Sequence, residues 1–521
     1  MKFIVVPNDE RHAPKDAISK GYLWEDNWND WFVYRTMYFF TYFDKNGKKH
    51  EIGQVKIGEF DWETGQRRPK LPRNFDRLPR EFFSLGQDID YYQALMEIPE
   101  NERYEIFQAL RDVAFDEQLY ARALEEEVMK ESLMRSTGPR KVEIQYRAVL
   151  QDGVELTPYK FSYRAARTPK SLTDPVELEF EVEPGASPPN NIHIIIGRNG
   201  VGKTRLLNGM TRALVDPKST RRRDGAFSFQ EMDFEFLGED TETFANLVSV
   251  TFSAFDDFLS IEETPRAQRA IIGYTNVGLR KRVGSGDRQR ITTLNIESLS
   301  SDFAKSAMIC SRGLRRKRWK RALETLETDS LFGEIEVAEL ADIEDEDEFL
   351  ERAKFMYKNL SSGHKIVLLT ITKLVELVEE RSLVLMDEPE AHLHPPLLSA
   401  FVRALSNLLT NRNGVAIIAT HSPVVVQEVP ASCVWKISRH GLSSAADRPE
   451  IETFAETVSV LTREVFGLEV DRSGFHKMIR EVVGRHDSFQ AVMSEFDDEI
   501  GAQGQALIRA MLAQRERRGR D

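Results

Sequence analysis

The segment Ile192-His193-Ile194-Ile195-Ile196-Gly197-Arg198-Asn199-Gly200-Val201-Gly202-Lys203-Thr204 constrains this chain more than any other. Its apolar run calls for a buried strand. The Gly-x-x-x-x-Gly-Lys-Thr that follows calls for a tight loop opening directly into a helix. Gly197, Asn199, Gly200 and Gly202 let the loop's backbone N–H groups close around a polyphosphate. Lys203 reaches the β- and γ-phosphates, and Thr204 sets its hydroxyl where Mg²⁺ sits. The motif implies an α/β fold and a nucleoside triphosphate as ligand. It leaves open what hydrolysis would be used for.

Length and charge bound the rest. At 521 residues the chain has room for more than one domain or for one heavily decorated domain. A net charge of −13 argues against a surface that is basic all over, so any nucleic-acid contact must be local or made by a partner. With only Cys310 and Cys433, a disulfide framework or a cysteine-rich metal site is excluded. No apolar stretch has the length of a membrane span and the start lacks a signal-peptide core, so a cytoplasmic protein without membrane partners is expected.

Strand formers at 31–43 and 50–57 flank the turn Asp44-Lys45-Asn46-Gly47-Lys48 and predict a hairpin. Residues 91–135 read as largely helical with a break at Pro99. Alternation predicts strands at 141–150, 176–182 and 247–253, and helices are expected near 473–483 and 504–514. The organisation expected is an N-terminal extension (1–140), a nucleotide-binding head (141–440) with an insertion at about 209–355, and a C-terminal mixed region (441–521).

Three further segments follow the phosphate loop in order. Leu360-Ser361-Ser362-Gly363-His364-Lys365 opens a helix, and Ser361 and Gly363 at its N-terminus suit a phosphate. Leu383-Val384-Leu385-Met386-Asp387-Glu388-Pro389 ends a buried strand. There Asp387 can hold Mg²⁺ and Glu388 can orient or deprotonate water. Ala416-Ile417-Ile418-Ala419-Thr420-His421-Ser422-Pro423 brings His421 to the end of another strand, placed to sense a γ-phosphate.

Together these segments resemble the heads of ABC-type ATPases. The run Met386-Asp387-Glu388-Pro389-Glu390-Ala391-His392-Leu393-His394-Pro395 is similar to the Asp-Glu-Pro-Glu-x-His-Leu-His-Pro pattern of SMC-, OLD- and Septu-like ATPases, often grouped as AAA-family proteins. The resemblance implies a P-loop NTPase head with a mixed sheet, an antiparallel β subdomain, a helical insertion and terminal additions. It implies ATP and Mg²⁺ as ligands. It also implies a homodimer, open to larger assembly, in which Ser361 and Gly363 complete the partner copy's site. The signature departs from Leu-Ser-Gly-Gly-Gln at Ser362 and His364. The glutamine of the loop after the second strand is left unassigned between Gln268 and Gln230.

Two other features compete with blander readings. His392 and His394 have a metal-ligand spacing, but no further Asp, Cys or His cluster in the sequence accompanies them, and a shaped loop after Glu388 is favoured. The run Arg315-Arg316-Lys317-Arg318-Trp319-Lys320-Arg321 offers a phosphate-backbone contact with Trp319 for stacking, or else a solvated helix face paired with the acidic residues 344–348. The insertion lacks the heptads of a cohesion-type ATPase, and 440–521 lacks the acidic motif of a Toprim nuclease. The resemblance therefore implies an ATPase that gates a separate effector, a nuclease of an anti-phage defence system. The alternative is a DNA-repair or recombination ATPase acting on DNA through residues 315–321.

Overall fold

The computed structural model describes residues 1–7, 17–26, 34–63, 65–134, 142, 146–152, 158–167, 173–216, 219–230, 244–251, 272–283, 290–343, 345–441, 443–466 and 474–518. A seven-stranded sheet carries the phosphate loop. Its order is Gly273–Gly278, Asn246–Thr251, Leu383–Asp387, Val415–Thr420, Ile192–Ile196, Val434–His440 and Ser443–Asp447. All neighbours run parallel except the last pair, which is antiparallel. The middle strands are buried throughout, as apolar strands covered on both faces must be.

Alternation along the strands feeds two cores. Ile192, Ile194 and Ile196 face the helices Ile296–Cys310, Gly313–Leu326, Ser362–Leu377 and Pro395–Thr410. Ile195 faces the helix Lys203–Val215 and a three-stranded antiparallel sheet of Ala226–Gln230, Tyr159–Arg164 and Glu177–Val182. The mixed sheet, antiparallel subdomain and helical arm expected of a P-loop head are all present.

The N-terminal region builds its own core around a six-stranded sheet, with helices Ile89–Met96, Glu100–Leu110 and Glu117–Ala123 against it. The expected hairpin is its centre, where Met37–Phe43 and Lys49–Glu59 pair antiparallel. Pro99 caps the second helix, which accounts for the expected break. One expectation is corrected. The stretch at 141–150, read as a strand, contains the helix Arg147–Asp152. Val142, Tyr146 and Val149 lie at helical spacing and are buried in the N-terminal core, and that burial overrides the local alternation.

The basic run is also corrected. It lies on the helix Gly313–Leu326, and Trp319 is fully buried, donating from its indole nitrogen to Thr372 Oγ1 at 3.0 Å. It has no free face for a base. Arg318 forms a two-pronged pair with Asp90, Arg315 pairs with Asp88, and Arg412 also reaches Asp90. These charges join the arm to the N-terminal region. Arg316 and Lys320 pair with Asp342. Of the acidic residues, Asp345 caps the helix Glu346–Asn359, and Glu346 lies 3.5 Å from Arg312.

Candidate nucleotide site

The phosphate loop leaves the buried strand at Gly197 and enters the helix at Lys203. Gly202 caps that helix with φ +105°, a left-handed conformation costly for any residue with a Cβ. Lys203 folds back over the loop, its Nζ donating to the carbonyls of Gly197 at 3.0 Å and Arg198 at 3.3 Å. This places the ammonium inside the loop, 3.9 Å from Glu388 Oε1. A cavity of about 720 Å³ opens above, lined by Asn199, Gly200, Gly202, Lys203, Thr204 and Glu388 among others. That volume suits a nucleotide.

One strand, Leu383–Asp387, supplies both acids, and the strand Val415–Thr420 lies between it and the phosphate-loop strand. Asp387 ends its strand 2% exposed, in register with Thr251 on one side and Ala419 on the other. Glu388 follows at φ +45°, a strained backbone for a non-glycine residue, pinned by its N–H to the carbonyl of Ala419 at 2.8 Å. The turn swings the Glu388 carboxylate, still 38% exposed, toward Lys203. Thr204 and Asp387 offer hard oxygen donors of the kind Mg²⁺ takes.

His421 lies beside Glu388, its Nδ1 3.6 Å from Glu388 Oε1. A residue given no role from sequence holds it there. Glu390 Oε1 accepts from the Thr420 hydroxyl at 2.6 Å and from the His421 N–H at 2.8 Å, and lies 3.0 Å from His421 Nδ1. The second acid of Asp-Glu-Pro-Glu was the available signal, since a carboxylate two residues after Glu388 must point somewhere. The unassigned glutamine stays so: Gln268 lies outside the described residues, and Gln230 ends a strand of the antiparallel subdomain.

Ser361 and Gly363 are elsewhere. Ser361 caps the helix Ser362–Leu377 and is exposed, and neither residue lines the cavity. Gly363 lies so close to the chain after Glu388 that a Cβ there would come within 2.5 Å of the His392 carbonyl oxygen. The signature helix is thus packed against the end of the Asp-Glu-Pro-Glu turn.

Asp329, His364 and His394 converge here, with donor atoms within 4.8 Å of one another. Sequence reading missed this cluster because its members are far apart in the chain. His394 Nδ1 accepts from the Leu397 N–H at 3.3 Å, which puts the ring's proton on Nε2, 3.4 Å from Asp329 Oδ2. A metal would need that nitrogen bare. The hydrogen bonds favour a proton-sharing cluster over a metal centre.

A family model described as an AAA domain, putative AbiEii toxin of a type IV toxin–antitoxin system, matches residues 235–427. That region holds Ser361, Glu388 and His421; the phosphate loop precedes it. Over 531 aligned residues the chain is 38% identical to protein ea59 of Escherichia phage lambda, covering 97% of each. It is 22% identical over 261 residues to the Septu protein PtuA of Bacillus mycoides (strain KBAB4), an alignment spanning 44% of this chain and 34% of that one. The solved ADP conformation of an ATP-binding cassette from an ABC transporter overlays 61% of this chain and all of that one, at 14% identity and a TM-score of 0.31. No helix among the described residues is long and apolar enough to cross a membrane.

Proposed function

The chain belongs to the family of protein ea59 of Escherichia phage lambda, and from its site we propose that it is an ATP hydrolase whose two heads close around ATP and gate a separate effector. The observation carrying this reading is the split site. Lys203, Glu388 and His421 are gathered at one set of strand ends, while Ser361 stands exposed outside the cavity on the signature helix. A phosphate-binding helix N-terminus that does not serve its own cavity suits one on another copy.

Each residue then has a task. The loop N–H groups and Lys203 hold the β- and γ-phosphates. Glu388, swung out by its strained backbone, takes the proton of the attacking water, and His421, held by Glu390, faces the γ-phosphate. Thr204 and Asp387 would hold Mg²⁺, whose charge would offset that of the phosphates. Ser361 and Gly363 of the second copy close the site, so hydrolysis releases the pair.

The effector reading rests on likeness to the Septu protein and on the absence of a second catalytic motif in the sequence. A nuclease encoded beside this chain is the effector proposed. The test is the full chain with Glu388→Gln: ATP should shift it from monomer to dimer in light scattering, and ADP should not. Affinity capture from cells carrying the native gene neighbourhood should recover a second protein with its own active site. A chain that stays monomeric with ATP refutes the closure, and one that cleaves nucleic acid unaided refutes the gating.

A further inference from the structure

The hydroxyl that caps the signature helix is held by a residue of its own first turn. Ser361 Oγ lies 2.7 Å from His364 Nδ1 and accepts weakly from the His364 N–H at 3.5 Å. His364 Nε2 lies 2.9 Å from Asp329 Oδ1. Asp329 is buried and also accepts from the N–H groups of Leu331 and Phe332. Burial opposes its ionisation, yet the hydrogen bonds from His364 and those two N–H groups outweigh it and hold the carboxyl below the usual range.

These contacts decide where the protons are. A neutral His364 gives its one N–H to the Asp329 carboxylate through Nε2, leaving Nδ1 bare. Bare Nδ1 takes the hydroxyl proton of Ser361, whose oxygen then turns only lone pairs outward. Lone pairs repel a phosphate oxygen. An imidazolium donates from both nitrogens, so Ser361 becomes the acceptor toward His364 and its own proton is free to point beyond the helix end.

We propose that His364 and Asp329 are positioning residues that set the direction of the Ser361 hydroxyl, so that engaging a partner copy's triphosphate takes up one proton per site. This rests on the composite-site reading above. Two rings also face His364, Phe332 at 4.8 Å and His394 at 5.9 Å between ring centroids. His394 is titratable, and it leans on the far oxygen of Asp329.

The test is sedimentation of the full-length Glu388→Gln chain with ATP and Mg²⁺, from about pH 6 to about pH 8.5. Dimerisation should weaken as pH rises, by up to about 100-fold per unit for two protons per dimer. Adding His364→Gln, whose amide N–H donates without titrating, should remove that slope and keep the dimer. Adding His394→Asn should leave the slope in place. Should His364→Gln lower the melting temperature sharply, Ser361→Ala is the second arm: its dimer should be weaker and lack the slope. A slope unchanged by either His364→Gln or Ser361→Ala overturns the proposal, as does a slope abolished by His394→Asn alone. If the parent chain fails to dimerise with ATP at every pH, the composite-site reading fails and takes the proposal with it.

Discussion

Glu388 is held in a left-handed backbone, tied by its N–H to Ala419, with its carboxylate near both Lys203 and His421. Glu388→Gln keeps the shape and removes the base, so steady-state ATP turnover should fall by about 10²–10⁴-fold with nucleotide affinity retained. Glu390 makes a different prediction. Glu390→Ala removes the carboxylate that accepts from Thr420 and the His421 N–H, and charge-assisted bonds of this kind are worth about 1.5–3 kcal/mol. Turnover should fall by about 10–100-fold while ATP binding, read by a fluorescent analogue, changes little. Loss of ATP binding in that variant would make Glu390 a plain structural brace.

At the scale of elements, the helix Gly313–Leu326 shows how a charge run misleads. Six cations in seven residues left a nucleic-acid surface and a solvated helix face both open, but Arg315 and Arg318 are paired with Asp88 and Asp90 of the N-terminal region, and Trp319 is core. Arg318→Ala should destabilise the fold by about 1.5–3 kcal/mol, because Asp90 loses its two-pronged partner but keeps Arg412, as urea unfolding would show. Lys317→Ala and Arg321→Ala, on the exposed side, should stay within about 0.5 kcal/mol. Asp112 adds a pH signature to the N-terminal region. Burial pushes its carboxyl up to about 7, though it accepts from Tyr92 and from backbone N–H groups. The folded state therefore holds a proton that the unfolded state has released. This contribution to stability is full at about pH 4, is lost as pH rises to about 7, and is level above that. Asp112→Asn should flatten the slope of urea midpoint between about pH 4 and about pH 7.

What sequence could reveal divides along the same line. The phosphate-loop strand, the Asp387 strand and the Thr420 strand were legible because each is an apolar run ending in chemistry, and runs need no knowledge of their neighbours. The N-terminal sheet was only half legible. Its hairpin is local, but Lys2–Val6 and Lys20–Glu25 pair parallel, which no spacing in the sequence announces. The helix at Arg147–Asp152 was missed because alternation and helical spacing coexist there, and tertiary burial chose between them. Asp329 lies 35 positions from His364 and carries no motif, so only folding reveals the pair.

For the whole molecule, the proposed function turns on the division of labour between copies. One chain supplies a cavity with Lys203 and Glu388, and its exposed Ser361 lies outside that cavity. Two such chains related by a twofold axis would complete two sites at once. The arm that carries the signature is also fastened to the N-terminal region through Asp88, Asp90, Arg315 and Arg318. Closure over ATP would therefore move that region with the head, giving an effector something to read.

Mixing two defective chains tests this claim most directly. Lys203→Ala and Ser361→Ala variants should each be nearly inactive alone, since every site in either homodimer lacks one half. In an equimolar mixture half the dimers would pair the variants, and each would hold one intact site, restoring about a quarter of the parent ATPase activity. Full activity in Ser361→Ala alone, or no recovery on mixing, would contradict a site shared between copies.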